Sequence, residues 1–289
     1  MRPFYFVRER GGRDAEVIVG SEWARELDVA VRAAKQAAEV ALRMQPGISA
    51  EIKPDRSPVT QADRECERLI ARELVEAFPE DGILGEEGAR AESHSGRRWI
   101  IDPIDGTRDY LRGNSLWANL IALEAGPDAG NDVVVGVVNL PIQGRCFTAT
   151  RGGGAYRDGS RIQVSSKASI EEAVLCFNDY NRLDGLPFKE RFPDWMRLFW
   201  AVRGLGGATD AMMVASGQAE VWIEARAAEW DFAPLKLIVE EAGGRFFNFD
   251  GGSSIRAGNG IACAPGLEGE VRRFLGATAE RALRPIAPS

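Results

Sequence analysis

The nine residues Trp99-Ile-Ile-Asp-Pro-Ile-Asp-Gly-Thr107 constrain this chain more than any others. An apolar, strand-like run, Trp99 to Ile101, ends in two carboxylates three positions apart, Asp102 and Asp105. Pro103 stiffens the turn between them, and Gly106 permits backbone conformations that other residues avoid. A hydroxyl, Thr107, follows at once. Acids at the mouth of a buried strand are costly unless a cation or hydrogen bonds compensate. A turn capped by Asx hydrogen bonds accounts for one of these aspartates but not for both. Hard oxygen donors at this spacing suit Mg²⁺ better than zinc.

The chain has 289 residues, 45% hydrophobic and 27% charged, which fits a globular protein of one large domain or two subdomains. Its net charge of −7 and the lack of a basic block argue against nucleic acid or an acidic membrane as partner. An acidic total does not exclude an anionic substrate, because a bound metal sets the local sign. The four cysteines, Cys66, Cys146, Cys176 and Cys263, are scattered, and the single histidine, His94, leaves no Cys/His zinc set. Reduced, largely buried thiols imply a cytoplasmic protein. The charged N-terminus does not read as a signal peptide, and no run reaches the roughly 20 apolar residues that span a bilayer.

Residues 1–20 read as an N-terminal extension, with Ser21 as an N-cap. Apolar residues recur at helical spacing from Glu22 to Met44, and a second helix follows Thr60 and runs to about Phe78. Strands are expected over Leu116–Glu124, Val133–Asn139 and Arg145–Thr150, with turns at Gly152-Gly153-Gly154 and Asp158-Gly159 and a strand at Ile162–Val164. Beyond these, a strand near Ala173–Phe177, a helix near Thr209–Ser216, a strand at Ala219–Glu224 and a helix from Phe232 to Ala242 are predicted. In this reading Asp231 opens the last helix, as an N-cap or a ligand, with Pro234 in its first turn. Residues 21–160 and 161–289 are expected to form two subdomains that share one site.

Three ordered motifs carry a resemblance over about Ser21 to Leu275: Leu84-Gly-Glu-Glu87, the Trp99–Thr107 segment, and Trp230-Asp-Phe-Ala-Pro234 leading to Glu240-Glu-Ala-Gly-Gly244. Together they resemble the inositol monophosphatase family of Mg²⁺-dependent, lithium-sensitive small-molecule phosphatases. The resemblance implies a mixed α/β and α+β fold, the layered αβαβα sandwich of the inositol monophosphatase and fructose-bisphosphatase type. It also implies a homodimer and two or three Mg²⁺ per site, held by Glu86, Asp102, Asp105, Asp231 and the Ile104 carbonyl. The matching Asp63 and Thr107 would orient the attacking water. Asp63 also lies three residues after Thr60, as in a capping box.

By the same resemblance, Asp105, Gly106, Thr107, Gly206, Gly207, Ala208 and Glu224 would meet the substrate. Lys53 matches an upstream lysine near the metals, and Glu87 is a candidate supporting acid. The expected reaction is hydrolysis of a small phosphomonoester, inositol 1-phosphate or histidinol phosphate. The segment Asp105–Leu123 looks closer to histidinol-phosphatase-like members, whereas Gly207 stands where those members often carry an aspartate. A 3′-phosphoadenosine 5′-phosphate phosphatase, a fructose 1,6-bisphosphatase and a non-catalytic regulatory paralogue are the alternatives. Other chemistries find no support: Cys66 and Arg72 have cysteine-phosphatase spacing but a helical intervening sequence, the glycine triplet has no Walker lysine, and no Gly-x-Ser-x-Gly occurs.

Overall fold

The computed structural model describes residues 22–54, 56–126, 132–178 and 180–282. The expected extension 1–20 and the Ser21 cap lie outside the described residues. Helix α1 (Ala24–Met44) is followed by a hairpin of β1 (Ala50–Ile52) and β2 (Pro58–Thr60), then by α2 (Gln61–Ala77). An eight-stranded sheet comes next. It comprises β3 (Gly82–Gly85), β4 (Arg90–Ala91), β5 (Arg97–Asp105), β6 (Ala118–Ala125), β7 (Asp132–Leu140), β8 (Arg145–Thr150), β9 (Gly154–Arg157) and β10 (Ser160–Arg161). Short helix α3 (Thr107–Arg112) leaves the end of β5. The strand order is β10-β9-β8-β7-β6-β5-β3-β4, antiparallel except where β3 runs parallel to β5.

A second, five-stranded sheet has the order β12-β11-β13-β15-β14. Its strands are β11 (Val174–Cys176), β12 (Ala201–Arg203), β13 (Val221–Glu224), β14 (Arg245–Phe247) and β15 (Gly260–Cys263). Four helices accompany it: α4 (Phe192–Met196), α5 (Gly207–Ala215), α6 (Glu229–Glu241) and α7 (Glu268–Ala282).

Alternation along β5 sets the layers. Trp99 and Ile101 face the alanine-rich side of α1 and the Cys66, Ile70 and Leu74 face of α2. Ile100, between them, faces the opposite layer with Phe232, Leu235 and Ile238 of α6 and Met212 of α5. Trp222 of β13 closes that layer from the second sheet. On the far side of the second sheet, Phe192 and Trp195 of α4 and Phe274 of α7 pack with Leu175, Val221 and Ile223. The result is a five-layer αβαβα sandwich. Gly136 of β7 lets α6 approach closely, since a Cβ there would meet the Pro234 carbonyl oxygen at 3.1 Å.

Two local expectations need correction. The chain pairs with β9 at Ser160–Arg161 rather than over Ile162–Val164. Ile162 makes one last bond to Ala155, and by Val164 the backbone N–H already donates to Ala242 at the end of α6. Helix α6 begins at Glu229, not Phe232, so Asp231 is its third residue and Pro234 lies inside it rather than in its first turn.

Candidate active site

The ladder between β5 and β6 breaks where the site begins. Asp102 pairs with Leu120 but Asp105 with Ala118, so three steps on β5 oppose two on β6. Residues three apart on a regular strand point to opposite faces; one extra residue restores them to the same face. Pro103, which has no N–H to give the ladder, sits within the break. Asn119 donates to the Pro103 carbonyl at 2.7 Å and fixes the bulge from β6. Gly106 then turns the chain at φ +85°, and a Cβ there would meet the Leu116 carbonyl oxygen at 2.8 Å.

Asp231 arrives from α6. Its Oδ2 accepts the backbone N–H of Ala228 at 2.6 Å, the backbone half of a capping box. One carboxylate oxygen from each of Asp102, Asp105 and Asp231 lies within 4.8 Å of the others, a group able to hold a metal ion. Glu86, just past β3, joins them by a hydrogen-bond contact with Asp102, which also contacts Asp231. Lys53 Nζ contacts Glu86 Oε1 at 2.9 Å and Glu87 Oε1 at 2.6 Å.

Thr60 caps α2 with its hydroxyl, while Asp63 Oδ2 accepts the Thr60 N–H at 2.8 Å. The other Asp63 oxygen accepts from the Thr107 hydroxyl at 3.4 Å. Thr107 Oγ1 also lies 3.3 Å from the Ile104 carbonyl oxygen. Across the site, the Ala208 N–H at the start of α5 donates to Asp105 Oδ2 at 3.3 Å. Gly207 lies against Glu224 at the end of β13: a Cβ on Gly207 would sit 3.5 Å from Glu224 Oε2. The residues singled out in the sequence thus converge on one place.

The electrostatics of this place are those of crowded acids. Burial raises Asp102 well above the usual carboxylate range, and the charges of Glu86, Asp231 and Asp105 add to it. Burial and Asp231 push Asp105 up to about 7, against the pull of the Ala208 N–H. Burial pushes Asp231 up to about 6, against the Ala228 N–H. Burial also raises Glu86, Glu87 and Asp63, with Lys53 opposing the first two most directly. Lys53 is itself pulled down by burial but held above its ordinary value by Glu87 and Glu86.

Several supporting residues carry no motif in the sequence. Glu67 is buried on α2, four residues after Asp63, and accepts the N–H groups of Glu87 at 2.7 Å and Ala89 at 2.6 Å. Gly85 makes room for it, since a Cβ there would lie 2.3 Å from Glu67 Oε2. Buried Glu124 binds Arg98 and Arg256, each at 2.7 Å, and both arginines also hold Glu229 in the first turn of α6. The only hint of Glu67 in the sequence is an acid at i+4 from Asp63 on a helix face that is otherwise apolar.

An αβαβα sandwich with an acidic cluster between its two sheets defines a class of phosphoric monoester hydrolases, and the sequence matches that class. The inositol monophosphatase family model matches residues 22–283, and the chain belongs to that family. A relative named histidinol-phosphatase from Chlorobaculum parvum is 41% identical over 73% of this chain and 80% of its own length. Among solved structures, the extragenic suppressor protein SuhB from Bartonella henselae superimposes with a TM-score of 0.80 at 31% identity, over 87% of this chain and 98% of that one. An IMPase from Thermotoga maritima gives 0.78 at 30% identity, over 89% and 99%.

Proposed function

We propose that the chain hydrolyses a small phosphomonoester with Mg²⁺ and a water nucleophile. The observation that carries this reading is the convergence of Asp102, Asp105 and Asp231, with Glu86 beside them. Such like charges cannot all ionise at neutral pH without cations among them. The donors are all carboxylate oxygens, which fits a hard divalent cation, with Glu86, Asp102, Asp105, Asp231 and the Ile104 carbonyl as the proposed holders. When bound, Mg²⁺ supplies positive charge to the phosphoryl group and acidifies a coordinated water.

The chain's own residues would do the rest. Thr107, whose proton goes to Asp63, would accept from the attacking water, fixing its line of approach to phosphorus. Lys53 would balance the charges of Glu86 and Glu87 and oppose the rise that burial imposes on both. The Gly206-Gly207-Ala208 turn and Glu224 would receive the alcohol portion of the ester. No residue here is a nucleophile in this scheme, so no covalent enzyme intermediate forms.

For the substrate we favour histidinol phosphate, with inositol 1-phosphate second. The 41% identical relative bears the histidinol-phosphatase name, and the Asp105–Leu123 segment points the same way. The comparison of kcat/KM for the two esters tests this choice: at least tenfold preference for histidinol phosphate supports it, and the reverse preference refutes it. A regulatory role is the second reading, favoured by the likeness to relatives named Nus factor SuhB; in a purely regulatory role this chain would bind metal without releasing phosphate. A homodimer and a cytoplasmic location complete the proposal. Among the described residues no helix is long and apolar enough to cross a membrane.

A further inference from the structure

The turn that precedes α5 has an unusual shape. Gly206 sits at φ +127°, ψ +152°, a region that side chains beyond glycine essentially never occupy. Just upstream, Gly204 runs so close to the Phe177 carbonyl oxygen that a Cβ would lie 2.5 Å from it. A backbone in this conformation persists only where its surroundings over-determine it.

Asp210 supplies that determination. Its side chain is wholly buried. The Leu205 N–H lies 3.2 Å from each of its carboxylate oxygens, and the Gly206 N–H donates to Oδ2 at 3.3 Å. The Asp210 N–H donates in return to the Gly206 carbonyl at 2.8 Å. The Cys176 thiol on β11 donates to the same carboxylate. Burial pushes Asp210 up to about 6 despite these donors, so a carboxylate is retained here against a desolvation penalty. An apolar side chain would fill the space without that penalty but would leave the two N–H groups unpaired.

The held turn faces the site. Two residues beyond Gly206, the Ala208 N–H reaches Asp105, and Gly207 abuts Glu224. We propose that Asp210 is a positioning residue, which touches no reacting atom but fixes the Leu205–Ala208 turn so that the Gly207 backbone and Glu224 receive the alcohol portion of the ester. The inference rests on the phosphatase reading above and deepens it.

The test compares wild type, Asp210→Val and Asp210→Asn in Mg²⁺-dependent phosphate release from histidinol phosphate and inositol 1-phosphate. Asparagine retains an acceptor oxygen and valine has none. The valine variant should raise KM at least fivefold with kcat within threefold of wild type, and the asparagine variant should restore KM to within twofold. A smaller rise in KM for a folded valine variant, a loss confined to kcat, or an asparagine variant as impaired as valine overturns the inference. Should the valine variant not fold, Asp210→Ser is read by the same KM criterion, because its smaller side chain admits water to the N–H groups but cannot span both. Wild type in the same assay separates the two levels: no turnover by wild type defeats the phosphatase reading itself.

Discussion

Asp63 and Thr107, 44 residues apart in sequence, meet at 3.4 Å, and Asp63 reaches Thr107 with the oxygen that it does not use to close the first turn of α2. One carboxylate therefore anchors a helix and holds a hydroxyl at the edge of the acidic cluster. If the pair orients a single water, its two members act as a unit. Thr107→Val and Asp63→Asn should each lower kcat by about 100-fold, in the range typical of a positioned acid–base group. The double variant should be little worse than either single one. Steady-state kinetics of the four proteins checks this, and multiplicative losses would contradict it.

In the proposed scheme proton and metal compete for the same oxygens. Asp105 is pushed up to about 7 and Asp231 to about 6 in the metal-free protein. A raised carboxyl pKa means that the folded state holds protons the unfolded state has already released. Between the unfolded values near 4 and these folded values, stability of the metal-free protein therefore falls as pH rises. Mg²⁺ needs the ionised form, so its affinity should rise over the same window. Titration calorimetry at pH 5.5 and 8.0 should show tighter binding at 8.0 by at least tenfold and proton release on binding at pH 6.5. Equal affinity at both pH values would contradict the acidic cluster as the metal site.

Asp102 is buried among like charges and contacts both Glu86 and Asp231. Asp102→Asn keeps its shape and removes a charge from that cluster. Turnover should fall below a thousandth of wild type, while the melting temperature in EDTA should stay level or rise. The Mg²⁺-induced rise in melting temperature should shrink or vanish. Retained activity, or collapse of the metal-free fold, would contradict this placement of the charge.

Glu67 holds the strand end that presents Glu86 and Glu87. Glu67→Ala leaves two N–H groups without their acceptor, and each bond to a charged group contributes roughly 1.5–3 kcal/mol. Urea unfolding should show a loss of about 3 kcal/mol, accompanied by weaker Mg²⁺ binding. An unchanged unfolding midpoint would show that the loop is held by other means.

The layers were legible because their signal is periodic. The alanines of α1 and the Trp99-Ile-Ile101 alternation identify a helix and a buried strand from sequence alone. The three acidic motifs mark the candidate site because their spacing is local. What sequence periodicity could not reveal are contacts between elements distant in the chain. The register break at Pro103 depends on β6, and the burial of Glu67 depends on Gly85 lying opposite it. Helix α6 starts earlier than its sequence suggests because Asp231, a good N-cap residue by type, serves instead from the third position by accepting from Ala228. Asp210 looks like an unremarkable polar residue within an apolar helix until the turn at Gly206 folds back over it.

The central claim is metal-dependent release of phosphate from a small ester, and one assay tests it most directly. Wild type and Asp102→Asn are incubated with histidinol phosphate, inositol 1-phosphate, 3′-phosphoadenosine 5′-phosphate and fructose 1,6-bisphosphate, in EDTA and in Mg²⁺, and free phosphate is measured. The account predicts release by wild type alone, only with Mg²⁺, and fastest from histidinol phosphate. No release from any ester by folded, Mg²⁺-bound wild type, or equal release in EDTA, would contradict it.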